Sequence, residues 1–147
     1  SDLDTTEEAI RLKRYIKEHK IKNIEFLGFK SGEELEDIIK GARFTLIPSI
    51  WYDNLPNTAL ESFQYSKPVI ASNIGSLPEL VVDGENGYLF KPADAEDLIK
   101  KIKLLDDDTV VEKMGAASRR RLESRFSPET HYEALMKVFS EAVKNNK

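Results

Sequence analysis

The chain has no cysteine, two histidines, two methionines and one tryptophan among its 147 residues, and these scarcities remove whole classes of chemistry. Without cysteine there is no disulfide, no thiolate nucleophile and no zinc-thiolate site. His19 and His131 are isolated and lack metal-ligand spacing, so neither is a candidate metal ligand or catalytic base. No apolar run approaches the roughly 18 residues of a membrane span and no signal-peptide pattern is seen, which makes a cytoplasmic setting the simplest expectation. Basic charge is not in excess either. With 22 Lys and Arg against 26 Asp and Glu the net charge is -4, so nucleic acid, which is held largely by Lys and Arg, is not an expected partner.

What remains is the composition of an ordinary folded protein, 40% hydrophobic and 33% charged. The length suits one domain with its own core, but it is short for an enzyme with two substrate sites. Thr5 to Glu8 has capping-box spacing and precedes Ala9, Leu12, Tyr15 and Ile16 on one helical face. Ile24 to Leu27, ending at Gly28, reads as a short strand. Ser31 to Glu34 repeats the capping-box spacing, Leu35, Ile38 and Ile39 form an apolar stripe, and Gly41 is a stop. Phe44 to Ile47, halted by Pro48, is an apolar run expected of a strand buried on both faces.

The alternation continues. Pro56 fits a helix's first turn, Ala59, Leu60 and Phe63 follow at helical spacing, and Pro68 to Ala71 returns to strand character. A short helix from about Pro78 to Val82, turns at Asp83-Gly84 and Asn86-Gly87, and the strand Tyr88-Leu89-Phe90 follow. Three helices end the chain. Asp94 caps the first, Val111, Met114 and Leu122 lie inward on the second, and Ser127-Pro128 opens the third with its stripe of Tyr132, Leu135, Met136, Phe139 and Val143. Strands alternating with helices predict a three-layer α/β fold with a parallel sheet. Ligands of such sheets bind beyond the carboxyl ends of the strands, here near 28–31, 49–58 and 72–78.

The segment Pro48 to Glu61 leaves a strand, crosses a polar loop and enters a helix. Its chemistry suits a ligand carrying both anionic and hydroxyl groups. Free N–H groups at a helix start attract phosphate, Asn57 and Thr58 add side-chain donors, and Glu61 and Asp53 can accept bonds from paired hydroxyls. This stretch resembles the E-x7-E region of retaining glycosyltransferases of the GT-B architecture, in the group 1 or family 4 type that includes sucrose, glycogen and lipopolysaccharide synthesising enzymes. Asp53 and Glu61 have the spacing. The similarity continues in order through Lys67 to Ser72, Gly75 to Glu79, Asp83 to Phe90 and Arg125-Phe126-Ser127, nearly the whole chain.

The resemblance implies a Rossmann-like donor-binding domain, the C-terminal half of a GT-B protein. Carried over residue by residue, it puts Glu61 on the ribose hydroxyls of a nucleotide-diphosphate sugar and Asp53 beside the transferred sugar. The loop Asn54, Leu55, Pro56 and Asn57, with Thr58 at the helix start, faces sugar and diphosphate, and Gly28, Phe29 and Lys30 surround the base. Transfer in the family retains anomeric configuration, with no cofactor and usually no metal. The resemblance also implies an N-terminal acceptor-binding domain and allows peripheral contact with a cytoplasmic membrane face in the full-length protein.

This sequence departs from the family at several positions. The first acid is normally Glu where Asp53 stands, Asn54, Leu55 and Pro56 replace the usual glycines, and Ser76 replaces the second glycine of a paired-glycine loop. The first two strands of the domain, with the Arg and Lys that clamp the diphosphate, have no counterpart. The missing first strand is central in the family's sheet, between segments matching 24–28 and 44–48, so the chain is expected to be part of a longer protein unless another polypeptide supplies the strands. A complete sheet formed by this chain alone would contradict that expectation. Alternatives are a non-catalytic nucleotide-binding module, which an assay for transfer would separate, and another GT-B enzyme such as a nucleotide-sugar epimerase, which should carry different donor-loop acids. Trp51 and Tyr52 have the shape for a sugar site, but aromatics beside a strand end are at least as often core or rim packing, and they are left unassigned. Arg119-Arg120-Arg121 has charge for a phosphate or an anionic membrane, but consecutive helical residues diverge and a solvated face is expected. The stripe of the last helix reads most simply as core, although the resemblance suggests that part of it docks on the acceptor domain.

Overall fold

The computed structural model describes residues 6–145, in two compact units that divide after Ile38. In the first unit, α1 (Glu7–Glu18) is capped by Thr6, whose hydroxyl accepts from the Ala9 N–H at 3.2 Å. Thr5, the expected cap, lies outside the described residues. The helix closes where the His19 ring stacks on Tyr15 at 3.9 Å and its Nδ1 lies 2.9 Å from the Tyr15 carbonyl oxygen.

The expected strand Ile24 to Leu27 does not form: no described strand pairs with it. Ile24, Phe26 and Leu27 are exposed, with Lys13 Nζ 5.2 Å from the centre of the Phe26 ring. The apolar residues suit a strand, but a strand exists only through hydrogen bonds to a neighbour. Beyond Gly28, at φ 67°, α2 (Gly32–Gly41) follows and ends at its glycine as expected.

The second unit is built on three parallel strands, β1 (Thr45–Ile47), β2 (Val69–Ser72) and β3 (Gly87–Phe90), in the order β1-β2-β3. Thr45 pairs with Val69 and Val69 with Gly87. This last register requires glycine, because a Cβ on Gly87 would lie 2.0 Å from the Val69 carbonyl oxygen. On one face α3 (Asn57–Gln64) and α4 (Leu77–Leu80) bury Phe63, Ala59, Leu77 and Leu80 against Ile47, Val69 and Ala71. On the other, Ile70 and Phe90 pack with Leu105 and Met114, flanked by Leu98 and Ile102 of α5 (Ala95–Lys103). The fold is therefore α/β with a parallel sheet between helices, as the alternation predicts.

Burial of β1 on both faces is not observed, since Leu46 is 40% exposed. Thr45 and Ile47 face α3, whereas α5 covers β2 and β3, so Leu46, on the edge strand, lies at the margin of that second face. Before β1, Arg43 donates to the carbonyls of Leu105 and Asp106, both at 2.8 Å, and pairs with Asp108. It thereby ties the chain entering β1 to the start of α6 (Asp108–Arg125). Asp94 and Ser127 cap α5 and α7 (Pro128–Asn145) as expected, accepting from the N–H groups of Asp97 and Thr130. The stripe of α7 is not core: Tyr132, Leu135, Met136, Phe139 and Val143 are all exposed. No described helix is long and apolar enough to cross a membrane.

Candidate functional site

At the carboxyl ends of β1 and β2 two loops meet. The first runs from Pro48 to Pro56, and the second comprises Asn73 to Ser76. Gly75 has φ 60°, and a Cβ there would lie 3.0 Å from the Asp53 nitrogen and 3.1 Å from its oxygen. A side chain there would press on the Asp53 backbone, and the left-handed φ also favours glycine. Ser76 then fastens the loops together. Its backbone N–H and its hydroxyl both donate to the Asp53 carbonyl oxygen, at 3.2 and 3.0 Å. Ser76 itself sits at φ -84°, ψ -6°, a helical conformation open to any L-residue, so a serine is accommodated where the family has glycine.

Pro56, buried, is the N-cap residue of α3 at φ -71°, and no side chain caps this helix. The Ala59 N–H returns to the Pro56 carbonyl at 3.0 Å. The N–H groups of Asn57 and Thr58 have no intrahelical acceptor, because the first turn of any helix lacks one. Asn57 and Glu61 lie one turn apart and are exposed, opposite the buried Ala59, Ser62 and Phe63. Ser62 holds this face down: its hydroxyl donates to the Thr58 carbonyl at 2.6 Å and accepts from Thr45 Oγ1 at 2.7 Å. The carboxylates of Asp53 and Glu61 are both exposed and make no ion pair or hydrogen bond among the described residues. Trp51 and Tyr52 are exposed on the same loop.

Behind the loop lies a cleft of about 450 Å³, lined by Asn54, Leu55, Ser76, Glu79, Arg121 and Arg125. Asp53 and Glu61 do not line it. Here the expectation of a solvated arginine run fails. The Arg121 guanidinium donates to the Glu79 carbonyl at the end of α4 (2.7 Å), and Arg119 donates to the Gln64 carbonyl at the end of α3 (2.7 Å) while pairing with Glu123. Both cap helix ends whose last carbonyls lack intrahelical donors, and of the three only Arg120 is exposed. Partial burial, then the charge of Arg125, lowers the pKa of Arg121 from its ordinary value, and Glu85 opposes them. These contacts lie far apart in sequence, and the one available signal was the spacing of Arg121 and Arg125, one helical turn apart and entering the matched Arg125-Phe126-Ser127.

In the first unit, Gly28 takes a left-handed φ, Phe29 is 83% exposed, and Lys30 pairs with Glu34 at 3.2 Å. Among the described residues, no three His, Asp or Glu side chains gather as a metal site.

The chain is 30% identical over 131 residues to an uncharacterized glycosyltransferase of Methanocaldococcus jannaschii, covering 89% of this chain and 37% of that protein. Its fold matches sucrose-phosphate synthase from Thermosynechococcus elongatus with a TM-score of 0.82 at 26% identity, over 99% of this chain and 37% of the other. It also matches HepE of Anabaena, solved in complex with UDP-glucose, with a TM-score of 0.80 at 21% identity, over 95% of this chain and 38% of the other. The chain thus spans little more than a third of the length of each, and its fold is that of a Rossmann-like half of the GT-B architecture. Residues 5–121 match the model of the glycosyl transferases group 1, and the chain belongs to that family.

Proposed function

We propose that this chain is the donor half of a retaining glycosyltransferase and binds a nucleotide-diphosphate sugar at the bend between β1 and α3. The observation that carries the reading is the uncapped start of α3. Two N–H groups, on Asn57 and Thr58, meet solvent beside two acids, Asp53 and Glu61, whose carboxylates have no partner among the described residues. A diphosphate suits the amides, which present partial positive charge, and vicinal hydroxyls suit the carboxylates. Glu61 takes the ribose and Asp53 the transferred sugar, while Asn54, Leu55 and Pro56 shape the wall between them. Gly28, Phe29 and Lys30 serve the base. HepE of Anabaena, which shares the fold, is solved with UDP-glucose, and this supports a ligand of that class.

On this reading the protein adds nothing covalent to the reaction. Fixed amide dipoles meet the negative charge that grows on the departing diphosphate, and they need no reorganisation to do so. No metal and no cofactor is required. An acceptor-binding domain completes the catalytic cleft, and the isolated chain binds donor without transferring sugar.

Titration calorimetry with UDP-, GDP- and ADP-sugars tests the reading. One of the three is expected to bind, and Glu61→Ala is expected to weaken it more than tenfold, since two charge-assisted hydrogen bonds of roughly 1.5 kcal/mol each are lost. Equal heats for wild type and variant would remove Glu61 from the site.

A further inference from the structure

The cleft behind the donor loop holds two guanidinium groups. Arg121 and Arg125 lie one turn apart on α6 and line the same 450 Å³ space as Asn54 and Leu55. Like charges at this spacing repel, so a folded helix keeps them together only at some cost. Arg121 uses one terminal nitrogen on the Glu79 carbonyl, and its Nε is buried with no hydrogen-bond partner among the described residues. Arg125 is exposed and makes no hydrogen bond or ion pair among the described residues. Glu79 also lines the space, yet its carboxylate forms no ion pair with either arginine. The acid whose charge opposes the lowering of the Arg121 pKa is Glu85, not Glu79.

We propose that this cleft is a phosphoryl-binding site, in which Arg121 and Arg125 grip the oxygens of one substrate phosphate while the Asn54 amide donates from the loop side. A phosphoryl group carries three acceptor oxygens pointing in different directions, matching forks that approach from two positions on a helix and a third donor from a loop. The Ser76 hydroxyl is not one of the donors, because its proton is directed to the Asp53 carbonyl. The space exceeds a bare phosphate and lies within the range of small-molecule sites, so the ligand is of sugar-phosphate size. This inference rests on the donor-domain reading for its substrates. Two sources offer the chemistry: the diphosphate of the donor, and a phosphorylated acceptor.

The test is titration of the chain with inorganic phosphate and with pyrophosphate, followed by phosphorus NMR and calorimetry at low salt. Arg125→Gln, at an exposed position, is expected to weaken binding at least tenfold with an unchanged melting temperature, and Arg125→Lys to recover part of the affinity. Arg121→Gln is expected to weaken binding too, with a lower melting temperature because it also frees the Glu79 carbonyl. Equal affinity in wild type and Arg125→Gln, or phosphate binding that no variant alters, would overturn the site. Repeating the titration with a saturating nucleoside diphosphate separates the sources: displacement of phosphate assigns the site to the donor, and undiminished binding assigns it to an acceptor. The two proposals fail separately. Loss of the Glu61→Ala effect on nucleotide sugar sinks the donor assignment, whereas loss of the Arg125→Gln effect on phosphate sinks this one alone.

Discussion

Ser76 donates twice to a single atom, the main-chain carbonyl oxygen of Asp53, through its N–H at 3.2 Å and its hydroxyl at 3.0 Å. Gly75, immediately before it, closes on the Asp53 backbone so tightly that a Cβ would lie 3.0 Å from the Asp53 nitrogen. The loop carrying Asp53 is thus positioned through its backbone, which leaves the carboxylate free. Ser76→Ala keeps one of the two bonds, and a loss of about 0.5–1 kcal/mol is expected at this partly exposed site. Gly75→Ala forces a left-handed alanine and crowds its Cβ against the Asp53 backbone, so its cost should be larger. Denaturant unfolding of both variants measures this, and a Ser76→Ala effect exceeding that of Gly75→Ala would contradict the arrangement.

Much of the fold was legible because its signals are local. Asp94, Ser127 and Gly41 end or begin helices where their side chains or lack of one dictate, and Val69 to Ala71 and Tyr88 to Phe90 are strands because β-branched and aromatic residues sit between turn formers. The failures are equally specific. Ile24 to Leu27 has strand composition but finds no partner strand, and Leu46 belongs to an apolar run but lies on an edge strand. Neither partnership nor edge position is written in a short segment. At the site, the sequence pointed to both Asp53 and the Gly75–Glu79 loop, yet their mutual contact is tertiary. Whether Arg119 and Arg121 reach carbonyls on other helices is likewise settled only by packing.

Two buried polar side chains close to the sheet should respond oppositely to alanine. Asn86 is fully buried; its Oδ1 accepts from the Val82 N–H at 2.7 Å, its Nδ2 donates to the Leu80 carbonyl at 3.2 Å, and its own carbonyl accepts from Ser118. Asn86→Ala leaves two main-chain groups without partners, at an expected cost of about 2–4 kcal/mol. Ser72 is equally buried, but its hydroxyl has no partner among the described residues, so Ser72→Ala should leave stability unchanged or raise it slightly. Paired urea melts decide this, and comparable losses in the two variants would be inconsistent with the assigned networks.

Asp107 makes stability depend on acid. A hydrogen bond from the Thr109 side chain, then one from the Thr109 N–H at 2.8 Å, with smaller help from the Val110 N–H and the charge of Arg43, hold its carboxyl below the ordinary aspartate range against a small opposing effect of burial. A carboxyl depressed in the folded state stabilises fully above its unfolded pKa, about 3.9, and loses that contribution as pH falls through the folded value. Asp107→Asn keeps the capping acceptor without the charge. The melting temperature of wild type should therefore exceed that of the variant near neutrality, with the gap shrinking below about pH 4. A gap that stays constant from pH 7 to pH 2 would show that the charge plays no part.

The same separation of backbone from side chain gives Asp53 its own test. Because the loop is fixed through the Asp53 carbonyl and not its carboxylate, Asp53→Ala should leave the loop, the uncapped turn of α3 and Glu61 in place. Binding of the nucleoside diphosphate alone should then be unchanged within about twofold, whereas binding of the matching nucleotide sugar should weaken about tenfold, the loss of one charge-assisted hydrogen bond to a sugar hydroxyl. Asp53→Glu, which restores the length usual in the family, should keep sugar binding. Calorimetry with both ligands on all three proteins separates the roles. A parallel loss for the sugar-free and sugar-bearing nucleotides in Asp53→Ala would mean that this carboxylate serves the nucleotide or the fold, and the division of labour between Asp53 and Glu61 would be wrong.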